Sequence, residues 1–246
     1  MFLMHFFYSR GQENKVIIVA GNKPWSRDIF YEKIVFYQGE WIFAGTQKEL
    51  AMLLGQHTPD YVFFLHWSWI VPLDIIEKYE CICFHMTDLP FGRGGSPLQN
   101  LIIRGEKKTK VTAFRMVGGI DGIDAGPIYL KKELSLEGSA EEIYNRAMQM
   151  AAIMIKEIIK EKLIPREQEG EPTYFTRRKP EDSKILGGTI NDLYDFIRML
   201  DAPGYPHSYI ENNEFLFEFT GAEVKDDSIT AQVKITKKKG GSIWGH

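Results

Sequence analysis

Residues 15–21 read KVIIVAG, residues 61–66 read YVFFLH and residues 81–85 read CICFH. Each is a short, unbroken apolar run. A strand with one face in water alternates apolar and polar positions. A run apolar throughout is buried on both faces, as in a parallel sheet covered by helices on each side. Between the runs stand helix signals. Thr46-Gln47-Lys48-Glu49 is a capping box ahead of the apolar run LAMLL, and Pro72 opens a short helix, LDIIEKY. Residues 41–44 add one more strand, and Pro24 to Ser26 turn the chain. Strands alternating with amphipathic helices imply right-handed βαβ units. The expected fold class is α/β, a doubly wound, mostly parallel sheet with a small β-rich C-terminal module. In such sheets the ligand crevice lies at the carboxyl ends of the strands, where His85 stands.

Outward from that centre the chain stays readable. His85 runs into a Gly- and Pro-rich loop, MTDLPFGRGGSP, after which Ser96 caps a helix with Pro97 at its first position. Residues 111–117 (VTAFRMV) and 128–134 form a hairpin joined by the Gly-rich, acidic loop GGIDGIDAGP. Ser139-Ala140-Glu141-Glu142 is a second capping box. The helix after it buries Ile143, Ala147, Met150, Met154 and Ile158 and ends near Lys162, before Pro165. Residues 165–183 are polar, hold three prolines and form a linker or surface strap. Residues 189–200 are helical, and short alternating strands follow from Tyr209. The expected domains are 1–183 and 184–246.

Composition narrows the class. The chain has 246 residues, 44% of them hydrophobic, and 30 basic against 33 acidic residues give a net charge of −3. Disordered, collagen-like and polytopic membrane proteins are excluded. The near-neutral balance argues against a protein whose main business is gripping a phosphate backbone, so no nucleic acid partner is expected, although the balance does not exclude a local basic patch. Cys81 and Cys83 complete no four-ligand set, so no metal is expected. The apolar start, residues 1–10, lacks a basic opening and a cleavage site and is too short to span a bilayer. A cytoplasmic protein without a membrane partner is expected, those residues forming an extra strand or a packed arm.

Three segments carry chemistry. Cys81-Ile82-Cys83-Phe84-His85-Met86-Thr87-Asp88-Leu89-Pro90 runs into Phe91-Gly92-Arg93-Gly94-Gly95. Val111-Thr112-Ala113-Phe114 runs on to Asp121-Gly122-Ile123-Asp124-Ala125-Gly126-Pro127-Ile128. Arg177-Arg178-Lys179-Pro180-Glu181-Asp182 precedes Ile197-Arg198-Met199-Leu200-Asp201-Ala202-Pro203-Gly204-Tyr205-Pro206. Together they resemble the folate-dependent formyltransferase family. Its pattern is Asn-x-His, then Leu-Pro and an Arg-Gly turn, and later Val-Thr, a hydrophobic strand and Asp-(Thr/Ala)-Gly. The resemblance spans residues 15–185 and is strongest over 85–128.

The resemblance implies a Rossmann-type catalytic domain that uses N10-formyltetrahydrofolate to formylate an amine. The third segment resembles the branch acting on nucleotide-linked amino sugars. The expected enzyme is therefore a sugar N-formyltransferase acting on a UDP- or dTDP-4-amino sugar, in a pseudaminic-acid-type or other surface-sugar pathway. His85 matches the catalytic His. Asp124 matches the catalytic Asp because DAGPI fits the motif, while counting from Val-Thr lands on Asp121 instead. Cys83 stands where the family has Asn, whose amide donates to the developing oxyanion. A thiol is a weaker donor, and losing such a donor costs roughly 100- to 1000-fold in rate. Asn100 or a water substitutes for it, or the catalytic strategy is altered.

The same resemblance assigns the donor pocket. Residues 67–72 match the strand end whose backbone lines the pterin, which makes Trp69, Ile70 and Val71 cofactor-binding. Gly119 and Asp121 close the other side. Arg93, Gly94 and Gly95 form a turn beside the amine substrate, with Arg93 either contacting substrate or bracing the loop. The rival readings are a methionyl-tRNA formyltransferase, against which the short tail and negative charge count, a folate- or nucleotide-binding module with weak or lost turnover, and a formyltetrahydrofolate hydrolase. The β-rich tail is a candidate dimer surface.

Overall fold

In β1 (Val16–Ala20), Ile17 and Val19 face one side and Ile18 and Ala20 the other, and all four are fully buried. The computed structural model describes residues 15–118 and 122–238. It places β1 among β2 (Glu40–Ala44), β3 (Tyr61–Phe64), β4 (Cys81–His85), β6 (Lys108–Arg115) and β7 (Ile128–Ser135), while β5 (Arg93–Gly94) lies apart. The order across the sheet is β2-β1-β3-β4-β6-β7. The first four strands run parallel, and β6 and β7 complete the sheet antiparallel. The expected doubly wound, mostly parallel sheet and the β-rich C-terminal module are both present.

The alternation along β1 sorts the helices. Ile17 and Val19 belong to a core with Trp25, Ile29 and Phe30 of α1 (Pro24–Glu32), and with α4 (Pro97–Ile103) and α5 (Ala140–Glu161). Ile18 and Ala20 belong to a second core with Leu50 and Leu53 of α2 (Gln47–Gln56) and Ile75 and Ile76 of α3 (Leu73–Lys78). β2 and β3 flank β1 on opposite sides, so the chain reverses its direction of travel there. The crevice of a doubly wound sheet opens at that reversal.

Local structure departs from expectation at two points. Pro24 to Ser26 are the first turn of α1 rather than a chain reversal. Proline fits that position because its missing N–H has no partner there, and Trp25, Ile29 and Phe30 bury one face. Ser96 does not cap α4 with its side chain. It has φ 50°, and its hydroxyl instead accepts the Arg178 N–H at 3.0 Å. The capping box at Ser139 and Glu142 closes both ways. At Thr46 only half forms, because Glu49 takes the Gly45 N–H instead.

The polar strap of residues 165–183 is stitched to the domain. Arg166 bridges Ile128, and β8 (Tyr174–Phe175) pairs parallel with β5. Gly94 makes that pairing possible: it has φ +100°, and a Cβ there would lie 2.6 Å from the Phe175 carbonyl oxygen. Beyond the strap, α6 (Ile190–Arg198) leads to an antiparallel sheet of β9 (Ser208–Glu211), β10 (Phe215–Lys225) and β11 (Ser228–Lys237). Arg198 ties this module to the first by donating to the Leu136 and Gly138 carbonyls at 2.6 and 2.9 Å. Among the described residues no helix is long and apolar enough to cross a membrane. The N-terminal arm of residues 1–10 lies outside the described residues.

Candidate active site

The carboxyl ends of β1, β3 and β4 open into a cavity of about 410 Å³. His85 ends β4 and Cys83 precedes it by two residues. The two-residue period of a strand turns both side chains to one side, and both line the cavity. His85 is 8% exposed. Its Nε2 lies 2.8 Å from the Gly92 carbonyl oxygen, and its Nδ1 lies 3.5 Å from Asp124 Oδ2. A carbonyl only accepts, so Nε2 carries a hydrogen, and the open ring nitrogen faces a carboxylate.

Asp124 is brought there by a loop with little freedom. Its φ is 51°. Gly126, two residues on, packs against β6 so closely that a Cβ would lie 1.8 Å from the Arg115 carbonyl oxygen. Oδ2 of Asp124 accepts the Gly94 N–H at 2.8 Å. Gln168, from the strap, donates to the Asp124 and Gly126 carbonyls at 2.7 and 2.8 Å. The strap thus holds the Asp124 loop in register with β4. Gln168 carried no signal in the sequence, where it is one polar residue among many.

The remaining expected residues fall in several places. Arg93 does not line the cavity: its guanidinium donates to Gln168 Oε1 at 2.7 and 3.2 Å and reaches the Tyr174 hydroxyl. Gly95 lines the cavity and donates to the Phe175 carbonyl. The Asn100 amide is engaged by the Gly95, Ser96 and Thr176 carbonyls. Burial, and then the Asp124 carboxylate, push the Cys83 thiol far above its ordinary value, so it stays a neutral S–H. Val71 is buried, Trp69 packs edge-on against Trp67, and Ile70 is 90% exposed. Of that segment Trp67 and Ser68 line the cavity. Gly119 and Asp121 lie outside the described residues. No group of three metal-ligating side chains occurs among the described residues.

The cavity rim is basic. Lys23 follows β1, and Arg177, Arg178 and Lys179 come from the strap. Burial and then the Arg177 charge hold the Lys23 ammonium below its ordinary value. Arg178 Nε is buried without a hydrogen-bond partner. Like charges crowded this way are relieved by an anion.

Known proteins share this architecture. Residues 40–159 match the family model "Formyl transferase", and residues 180–236 match "Methionyl-tRNA formyltransferase, C-terminal domain". A solved methionyl-tRNA formyltransferase from Clostridium thermocellum is 43% identical, with a TM-score of 0.83 over 91% of this chain and 100% of that one. A curated methionyl-tRNA formyltransferase from Thermodesulfovibrio yellowstonii is 36% identical over 149 residues, which is 57% of this chain and 47% of that protein. The chain spans about half the length of the first curated relatives it matches. A 4-N formyltransferase from Francisella tularensis is 17% identical, with a TM-score of 0.63 over 81% of this chain and 93% of that one, a likeness of fold alone.

These relatives overturn three expectations: a nucleotide-linked amino sugar as acceptor, a sugar N-formyltransferase as the enzyme, and the exclusion of nucleic acid as partner. The physical reason for the last lies in the rim. A net charge of −3 averages the whole chain, while four basic side chains converge on one opening.

Proposed function

The chain belongs to the formyltransferase family, and from that premise we propose that it transfers a formyl group from N10-formyltetrahydrofolate to the α-amine of methionyl-tRNA. The observation that carries the reading is a His85–Asp124 pair at the floor of a cavity whose rim is basic. The relatives of substantial identity and the C-terminal match over residues 180–236 support the acceptor.

The donor, when bound, supplies an activated one-carbon unit. Two neighbouring segments fit a flat heteroaromatic ring. Gly118 packs directly on Leu73. Trp69, Ile70, Leu73, Val117 and Ile123 all leave apolar surface exposed along these strips. The backbone of Trp69, Ile70 and Val71 would hold the pterin edge, with Val117, Gly118 and Ile123 opposite.

The protein's own groups manage protons and charge. Asp124 faces an incoming ammonium and favours its approach. The ammonium gives one proton to solvent, the neutral amine then bonds to the formyl carbon, and the Asp124–His85 pair accepts the second proton that the amine loses. The proton sits at His85 Nδ1. The imidazolium so formed places positive charge beside the formyl oxygen as negative charge builds there, and the same proton can return to the leaving nitrogen. The Gly92 carbonyl and Gly94 N–H fix the ring and the carboxylate throughout. Lys23, Arg177 and Lys179 hold phosphates at the end of the acceptor RNA.

The test is direct. The purified chain is given the formyl donor with methionyl-tRNA, with uncharged tRNA or with free methionine. Formyl-methionyl-tRNA is the expected product, with kcat/KM falling steeply as salt is raised. Donor binding without transfer to methionyl-tRNA overturns the reading. That outcome favours the second reading, a folate-binding protein with lost turnover, which rests on Cys83 in place of an amide donor.

A further inference from the structure

Beside the cavity that His85 and Asp124 line, five side chains from separate parts of the chain form two hydrogen-bonded chains that meet at a stacked pair of tyrosine rings. Trp25 Nε1–H donates to His66 Nδ1 at 3.0 Å, and His66 Nε2 lies 2.7 Å from the Tyr205 hydroxyl. The Tyr144 and Tyr205 rings stack with their centroids 5.4 Å apart. Gln99 Nε2 donates to the Tyr144 hydroxyl and to the Met199 carbonyl, each at 3.0 Å.

The hydrogens can be counted. Trp25 occupies the lone pair of His66 Nδ1, so the single hydrogen of a neutral ring sits on Nε2 and points at Tyr205. Both Gln99 amide hydrogens are engaged. The Tyr205 oxygen accepts from His66 and the Tyr144 oxygen accepts from Gln99, so each hydroxyl keeps its own hydrogen to give. Tyr144 is 3% exposed, whereas Tyr205 is half-buried in the cavity wall. The Tyr144 hydroxyl is enclosed beside Tyr205, whereas the Tyr205 hydroxyl opens to the cavity. Trp25 and His66 therefore donate in turn towards Tyr205, whose own O–H is left to point out into the cavity that His85 and Asp124 share.

What that hydrogen takes must be an acceptor atom. Lys23 Nζ stands 4.7 Å above the Tyr205 ring, so this side of the cavity repels an ammonium. The amine is left to the opposite side, by Asp124. In an aminoacyl ester the carbonyl oxygen is the acceptor atom nearest the α-amine. We infer that the Tyr205 hydroxyl binds the ester carbonyl oxygen of the aminoacyl acceptor and so aims its α-amine at the His85–Asp124 pair. The inference rests on the function proposed above and adds the residue that orients its substrate.

Tyr205→Phe removes the hydroxyl and keeps a ring that stacks on Tyr144 at 5.4 Å. The expected result is a KM for methionyl-tRNA raised about tenfold, the scale of one neutral hydrogen bond, with kcat changed less than threefold and donor affinity unchanged. An unchanged KM in a protein whose wild type is active overturns this inference alone. An equal loss of donor affinity also overturns it, since the hydroxyl would then support the site in general. A wild type that fails to formylate methionyl-tRNA removes the proposed function and this inference together. Should the variant not fold, competition on the wild type decides. Methionine methyl ester should inhibit at least fivefold more tightly than 3-(methylthio)propylamine, which lacks the carbonyl, and equal inhibition overturns the assignment.

Discussion

His66 and His85 follow neighbouring parallel strands and open into one cavity, yet their surroundings give them opposite properties. His66 has a donor on one side: Trp25 fills Nδ1, which fixes the other hydrogen towards Tyr205. Burial, and then the Lys23 charge, push its pKa down to about 3. His85 has acceptors on both sides, the Gly92 carbonyl at Nε2 and the Asp124 carboxylate at Nδ1. A ring between a donor and a hydroxyl is locked in one neutral tautomer. A ring between two acceptors can hold one hydrogen or two. The partners, not the residue type, separate a structural imidazole from one able to shuttle protons.

The largest expected effect tests that division directly. His85→Asn should lower kcat by about a thousandfold or more, because proton transfer and charge stabilisation fail together. His66→Asn should lower kcat less than tenfold, since asparagine tolerates the positive φ of 51° at that position and the ring takes no proton in the reaction. Single-turnover formylation at saturating donor separates the two. Equal losses would break the comparison.

Next in size is Cys83. Its neutral thiol is a weak donor two residues before the ring. Cys83→Asn should raise kcat at least tenfold, because an amide on the same side of the strand would stabilise the charge building on the formyl oxygen. A fall in kcat would mean that the small side chain is needed for packing beside Phe64 and Phe114 and that another group already supplies the donor.

Gln168→Ala should cost about tenfold in kcat with donor affinity unchanged, since Gln168 clamps the carbonyls of Asp124 and Gly126 without facing the cavity. Unchanged kcat would show that Gly94 alone positions the carboxylate.

These residues also mark what was legible. The sheet was readable because Ile17 through Ala20 bury both faces, and the capping boxes at Thr46 and Ser139 located α2 and α5. α1 was hidden because Pro24-Trp25-Ser26 resembles a turn, although Trp25, Ile29 and Phe30 hold helical spacing. His85 and Asp124 stood out through a motif. His66, Tyr144 and Tyr205 did not, because their meaning arises only where distant segments meet, 139 positions apart for His66 and Tyr205. The amino-sugar acceptor came from the likeness of residues 177–182 and 197–206 to the sugar branch, and RNA was set aside on a net charge that contains no information on where Lys23 and Arg177 meet.

The smallest effect concerns stability and isolates the locked ring. An ordinary histidine titrates near 6.5, and His66 in the folded chain titrates at about 3. Between those values the unfolded chain binds a proton that the native chain refuses. Stability from His66 is therefore complete above about pH 6.5 and is lost as pH falls towards 3. Full burial would set the loss from pH 7 to pH 5 near 2 kcal/mol, and partial exposure of the ring reduces it to about 1 kcal/mol. His66→Asn removes this dependence whatever its effect at neutral pH. Urea melts of both proteins at pH 7 and pH 5 read it as a difference of differences, in which every other titrating group cancels. Converging curves support a ring kept neutral by Trp25, Lys23 and burial. Parallel curves would show that His66 accepts a proton in the native state, and Tyr205 would then face an imidazolium rather than a neutral donor.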